Sequence, residues 1–328
     1  MRVTHAGAAL LLASAVACGG SASPSAPSAP PAAGQAYLRE IIAIMQANSV
    51  NRKRIDWTSF QAQVLARGAN AKTIPDTFDA IELALGQLDD HHSFYQVANS
   101  SARISNPTPP FGCGVPGTAN PGMPPDVGYV KVTSFSGLGA AADEFATSIQ
   151  AAIRAADTAG VVGWIVDLRG NGGGNMWPML AGVGPILGSG IAGYFVAPDH
   201  PPVPWSYRNG TSFEGDTPSA SVAAAYQVIR SNPRVAVLTD KAVASSGEAI
   251  AVAFRGRPNT RTFGTETCGV PTANDVFTLS DRALLILTVS LDADRTMTSY
   301  DAPLPPDERI DDPSAVVPRA IAWIRAGS

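Results

Sequence analysis

The chain has 328 residues, of which 45% are hydrophobic and 15% charged, with a formal net charge of -4. That is enough apolar material for one large or two medium domains with a real core, and too much for a disordered chain. Mild acidity without a basic cluster argues against a nucleic-acid partner, and past the leader no apolar run is long enough to span a bilayer.

Residues 1–17 read as an export signal: a charged start at Arg2, then the short apolar stretch Ala8 to Ala17, too short to cross a membrane. Ala15 and Ala17 precede Cys18 and Gly19-Gly20. This resembles the lipobox of bacterial lipoproteins, in which Cys18 would carry lipid; alanine three positions before the cysteine is a weaker match than leucine. The rival reading is an ordinary signal peptide. Residues 18–34 continue as a Pro/Ala/Ser tether with nothing to bury. Membrane contact is therefore expected only through an N-terminal lipid anchor. Cys113 and Cys268 then remain, and export favours a disulfide between them over two buried thiols.

Residues 35–95 read as a small helical domain. Leu38, Ile41, Ile42 and Met45 fall at helical spacing, as do Phe78, Ile81, Leu85 and Leu88. Another short helix begins around Trp57, and Thr73, Pro75 and Asp76 mark the start of the one that follows. That last helix leads into Leu88-Asp89-Asp90-His91-His92-Ser93. The chain has four histidines; His5 lies in the leader and His200 in a proline-rich loop. An imidazole base for a serine would therefore be His91 or His92. A metal reading fails for want of an HExxH pair or a further His/Cys cluster, and a polar helix end without chemistry is the plainer alternative.

Residues 96–126 read as a Pro/Gly-rich connector, and residues 127–328 as the main α/β core. Val127 to Val132 is a strand, Ala140 to Ala156 a helix and Gly163 to Leu168 a buried strand, the order of a parallel crossover. The last strand runs into Arg169-Gly170-Asn171-Gly172-Gly173-Gly174-Asn175. The loop fails the dinucleotide fingerprint and no Walker A sequence exists, so no cofactor is expected. A glycine run at a strand end can instead expose backbone amides to a ligand oxygen, which is what an oxyanion hole requires. The apolar stretch from Trp177 to Gly190 is either pocket lining or core.

A second strand, Val235 to Leu238, leads through Thr239-Asp240 and a polar turn to Ser245-Ser246-Gly247-Glu248 and a helical run ending at Phe254. Such a turn can present a serine hydroxyl above a sheet, with the helix amides facing whatever it attacks. Taken alone, it reads more readily as a small-residue helix cap. Val276 to Leu279 and Ala283 to Leu291 then read as a hairpin, and Val317 to Ile324 as a closing helix.

Asp167 to Gly174, Ser245 to Glu248 and Gly264-Thr265-Glu266-Thr267-Cys268-Gly269, together with Leu88 to Ser93, resemble the tail-specific (C-terminal processing) serine peptidases. Four elements in the right order, from about Leu38 to the C-terminal helix, carry the resemblance. It implies a ClpP/crotonase-type ββα-spiral core preceded by helices, acting on a protein or peptide substrate without metal or cofactor. The lysine base of the serine/lysine branch is missing: Val270 or Thr265 stands there, depending on the alignment. The match is to the tricorn-core-like branch, which implies Ser245 as nucleophile and His92 as base, with the amides of Gly173 and Ser246 forming the oxyanion hole. Glu248 and Asp301 are the two candidates for the acid that orients the imidazole. The family's PDZ domain has no room in the connector, which is far below the roughly 50 residues a domain needs. A non-catalytic member binding a peptide or apolar ligand in the same cleft is the rival reading, and a crotonase-like acyl-CoA enzyme a distant third.

Overall fold

The computed structural model describes residues 33–107, 113–114 and 122–327. The leader, Cys18 and most of the tether lie outside the described residues.

Three helices come first: α1 (Ala33–Asn48), α2 (Trp57–Arg67) and, after a single 3-10 turn at Pro75–Thr77, α3 (Phe78–Gln87). Asp56 caps α2 by accepting from the amides of Thr58 and Ser59. Of the apolar faces read from spacing, Leu38, Ile41, Ile42, Met45, Ile81, Leu85 and Leu88 are buried, and Phe78 is half-buried against them. They pack in one cluster that also takes in Tyr95, Leu279, Leu285 and Leu287, so the helices bury their stripe against strands as well as against each other.

A five-stranded parallel sheet forms the second layer. Its strands are β3 (Val127–Lys131), β4 (Gly163–Asp167), β9 (Arg234–Thr239), β10 (Thr260–Gly264) and β14 (Glu308–Arg309), in the spatial order β14-β10-β9-β4-β3. Every residue of β4 is buried. Trp164 and Val166 point into one cluster and Ile165 into another, and β9 divides Val235 and Val237 from Ala236 and Leu238 in the same way. On one face lie α4 (Ala140–Ala156), α5 (Met176–Leu187) and α6 (Ser246–Phe254); α7 (Pro313–Arg325) closes the other with Val316, Val317, Ala320 and Ile324. All residues of α5 except Trp177 are buried, so the stretch from Trp177 onward is core, and only its first turn borders a cavity.

The third layer is a nine-stranded sheet built on β12 (Leu284–Asp294). This strand pairs antiparallel with β1 (Phe94–Gln96), β5 (Gly190–Val196), β11 (Thr272–Thr278) and β13 (Ser299–Tyr300). Beyond β1 lies β2 (Arg103–Ser105), and beyond β5 the meander β6 (Val203–Arg208), β7 (Thr211–Glu214) and β8 (Thr217–Ser221). Two features depart from the sequence reading. The connector contributes a strand, β2, and the hairpin begins earlier, at Thr272, with a bulge between Ala273 and Asn274. Short strands with mostly exposed residues, such as Thr217–Ser221, carry too little apolar alternation to be read from spacing.

Cys113 and Cys268 are joined by a disulfide, Cα to Cα 4.5 Å. Beside it the Gly114 amide donates to the Lys241 carbonyl at 2.9 Å, so the connector is fastened next to the Ser245 turn.

Candidate active site

The C-terminal ends of β4 and β9 lie side by side, and the glycine loop and the serine turn emerge there together. Asn171, fully buried, holds them in register. Its carbonyl accepts from the Ala244 amide at 2.9 Å, its Oδ1 from the Gly173 amide at 3.0 Å, and its Nδ2 donates to the Val132 carbonyl at 3.2 Å. The Ser246 hydroxyl donates to the Gly174 carbonyl at 2.6 Å. Gly173 has φ +98°, and a Cβ there would stand 2.8 Å from both the Ala244 carbonyl oxygen and the Ser245 Cβ. Only glycine lets the two loops approach this closely.

Ser245 has φ 53° and ψ -122°, a backbone conformation that costs a non-glycine residue of order 1–3 kcal/mol. Glu248, one turn on, holds it there: Oε2 accepts from the Ser245 amide at 3.0 Å. The same carboxylate accepts from Thr267 Oγ1 at 2.5 Å and from the amides of Gly269 and Val270, each at 2.9 Å. Burial pushes the Glu248 carboxyl up, against these four hydrogen bonds, which favour its charged form. Glu248 thus ties the serine turn to the loop that carries the disulfide. Its hydrogen bonds go to these groups and none to His92. Ser246 is the first residue of α6, and the first amide of a helix has no partner within the helix.

His92 comes from the opposite layer. The loop after α3 is caged by Asp90, whose Oδ1 accepts from the His92 and Ser93 amides at 3.1 and 2.7 Å, and from Thr288 Oγ1 at 3.2 Å. Its Oδ2 accepts from Ser93 Oγ at 2.9 Å. Thr288 belongs to β12, and its own amide donates to Ser93 Oγ at 2.9 Å, so the loop is pinned to the central strand. Among the described residues, the His92 ring hydrogen-bonds Thr272, Nδ1 to Oγ1 at 2.8 Å. Burial pushes the imidazole down to about 4, so it is neutral at pH 7.

Ser245, Ser246, Gly173 and His92 all border one cavity of about 1070 Å³, together with Trp177, Phe195, Thr272 and Asp292. His91 and His92 also border a second cavity of about 590 Å³, which exposed Asp301, Thr272 and Val270 line as well. Lys241 is turned elsewhere and pairs with Glu266 at 3.3 Å. Among the described residues no group of His, Cys, Asp and Glu is placed to hold a metal ion. Two residues of the site were not singled out by sequence reasoning. Thr272, just past the Gly264 to Gly269 element, and Asp292 lie on adjacent strands, and the β11–β12 register sets them beside one another. A tract of small polar residues inside an otherwise apolar hairpin was the available signal.

Peptidase family S41 matches residues 126–310, more than half of the chain. The chain belongs to that family and is a serine peptidase. It is 26% identical over 299 residues to a nisin-resistance protein of Lactococcus lactis subsp. lactis, covering 90% of this chain and 88% of that one. Its fold is similar to that of a lipoprotein from Streptococcus agalactiae, with a TM-score of 0.71, 20% identity and coverage of 92% and 99%. It is similar also to the photosystem II D1 C-terminal processing protease, with a TM-score of 0.58, 17% identity and coverage of 85% and 93%. The family resemblance and the α/β fold class read from the sequence both hold.

Proposed function

We propose that this protein is an exported, lipid-anchored peptidase in which Ser245 attacks the peptide carbonyl and His92 takes its proton. The observation that carries the reading is the Ser245 turn: a strained serine at the end of a buried parallel strand, opening a helix, in the cavity that His92 borders from the other layer. With Nδ1–H donated to Thr272 Oγ1, the proton-accepting lone pair sits on Nε2. Thr272 is the positioning residue for the imidazole, where an acid is more usual. Glu248 positions the nucleophile instead, through its amide.

As the tetrahedral intermediate forms, its oxyanion takes the amide of Ser246, and that of Gly173 once the Gly173 N–H exchanges Asn171 Oδ1 for the substrate oxygen. His92 then returns the proton to the leaving amine. Acylated Ser245 is released by water activated at the same nitrogen.

Export and lipidation at Cys18 rest on the leader sequence and on the similarity to a lipoprotein. The similarity to a nisin-resistance protein makes nisin a rational first substrate. Incubation of the purified chain with nisin, followed by mass spectrometry, tests the reading. Fragments formed by the wild type and not by Ser245→Ala support it. An intact peptide, or fragments formed equally by Ser245→Ala, overturn it. Loss of membrane association in Cys18→Ser tests the anchor separately.

A further inference from the structure

The strand β2, which the connector adds beside β1, brings to the cavity a charge that the chemistry above does not use. Phe94 of β1 stands directly opposite Ser105 of β2 on one side and Ile286 of β12 on the other, with no break in either register. Directly opposed residues share a face of a sheet, and so do residues two apart along a strand. Ile286, Phe94, Ser105 and Arg103 therefore lie on one face, and all four border the cavity that Ser245 and His92 share. The Arg103 guanidinium sits over the Phe94 ring, its central carbon 4.5 Å from the ring centre. Among the described residues bordering this cavity, Arg103 is the one lysine or arginine, and no carboxylate pairs with it. The wall also holds His91 and His200, and two acids that stand apart from Arg103. Burial pushes Glu214 up, and nearby Asp275 adds to the shift. Glu214 is on β7, beyond β5 and β6, while Asp275 is on β11, with β12 and β1 between it and β2. At the usual strand spacing, β11 and β2 are roughly 14 Å apart.

A guanidinium without an acid partner is a planar fork of donors that matches the two oxygens of a carboxylate. Stacking on Phe94 holds that fork in place, so little freedom is lost when an anion is bound. We propose that Arg103 anchors a subsite for a carboxylate of the peptide substrate, two or three residues past the scissile bond on its C-terminal side. The proposal rests on the Ser245–His92 reading only for that position; capture of the carboxylate is a binding claim. The position follows from the chain. His92 returns its proton to the leaving amine, so the leaving segment begins at His92. Phe94 follows His92 by two residues, about 7 Å at the rise of a strand, and an extended peptide covers that distance in about two residues. The carboxylate has two sources, an acidic side chain or the C-terminus of the substrate, and both present the same pair of oxygens.

The test uses three acetylated, alanine-rich peptides that differ only at the last residue: glutamine amide, glutamate amide, and glutamine with a free carboxylate. Their binding to Ser245→Ala is measured by calorimetry at pH 7, and their cleavage by the wild type is mapped by mass spectrometry. We expect at least one of the two charged peptides to bind about fivefold or more tightly than the neutral one, and to lose its last two or three residues on cleavage. Tighter binding of the glutamate amide alone identifies a side chain as the source, and of the free acid alone, the chain end. Arg103→Gln in the Ser245→Ala background should bring all three affinities within about twofold. Arg103→Glu should instead favour a matching peptide that ends in lysine amide, a gain that misfolding cannot produce. Equal binding of the three peptides, or a carboxylate preference that survives Arg103→Gln, overturns the proposal. If the wild type cuts none of them while Ser245→Ala still discriminates, the subsite stands and the hydrolytic reading falls.

Discussion

The two halves of the site are held in different ways. The proposed nucleophile, Ser245, stands on the parallel sheet, where β4 with its glycine loop and β9 with its serine turn pair side by side. The proposed base, His92, stands on a loop pinned to β12, about 200 residues later in the chain, by Asp90, Ser93 and Thr288, and held as well by the side-chain amides of Asn51, Asn106 and Asn274. The first half is rigid because its strands are buried on both faces and its loops meet backbone to backbone. The second depends on a few side-chain hydrogen bonds across layers. A local device places the serine; a long-range polar cage places the histidine.

That contrast can be broken from its strongest point downward. Replacing Ser245 or His92 by alanine should each lower peptide hydrolysis by about 10⁴-fold or more, and the double variant should be little worse than either, because the pair acts as a unit. Additive losses would separate the two halves. Next comes Glu248→Ala, which strands four buried donors and releases the strained turn. A loss of about 3 kcal/mol in denaturant unfolding is expected, together with loss of activity. Opening the disulfide with Cys113→Ser should cost roughly 2–4 kcal/mol, since it frees a loop of 155 residues, while the catalytic groups keep their contacts. Smaller again is Thr272→Val, which removes the hydrogen-bond partner of His92 Nδ1. It should lower kcat about tenfold with KM unchanged, and Thr272→Ser should restore most of the loss.

The pH dependence sharpens the same comparison. The folded imidazole of His92 is pushed down to about 4, below the usual 6.5. It therefore remains a competent base in acid, and the acid limb of kcat/KM should fall near pH 4. The unfolded chain takes up a proton at this residue below about 6.5 that the folded chain refuses, so His92 withdraws stability as pH falls from there toward 4. Asp292 has the opposite sign in an overlapping window. Its folded carboxyl is raised from 3.8 to about 8, so the unfolded chain ionises first and stability is lost as pH rises between those values. Asp292→Asn should remove that loss, so that stability, measured by urea unfolding, falls less between pH 4 and pH 7.5 than in the wild type.

How much of this was legible in the sequence follows the same division. The parallel strands are continuous apolar runs, the glycine loop and the serine turn are contiguous motifs, and the helices α1 and α3 show their stripes in spacing. The roles around the site were harder to read. Glu248 follows the serine by three residues, and that nearness suggested an acid for the imidazole. Its buried position instead directs it to Ser245's own amide and to the loop of Thr267 to Val270. Thr272 and Asp292 are set beside one another by antiparallel pairing across β11 and β12, which no local pattern encodes. The outer strand β8 escaped for a related reason: its mostly exposed residues leave no periodic apolar signal.

The central claim is that His92, held by Thr272, activates Ser245. Its most direct test is the rate at which a fluorophosphonate probe labels the full chain at pH 5, in the wild type, Ser245→Ala and His92→Ala. Fast labelling of the wild type at this acid pH, abolished in both variants, is the result expected of a serine with a neutral imidazole beside it. Labelling of His92→Ala at the wild-type rate would contradict the account and place the base elsewhere in the cavity.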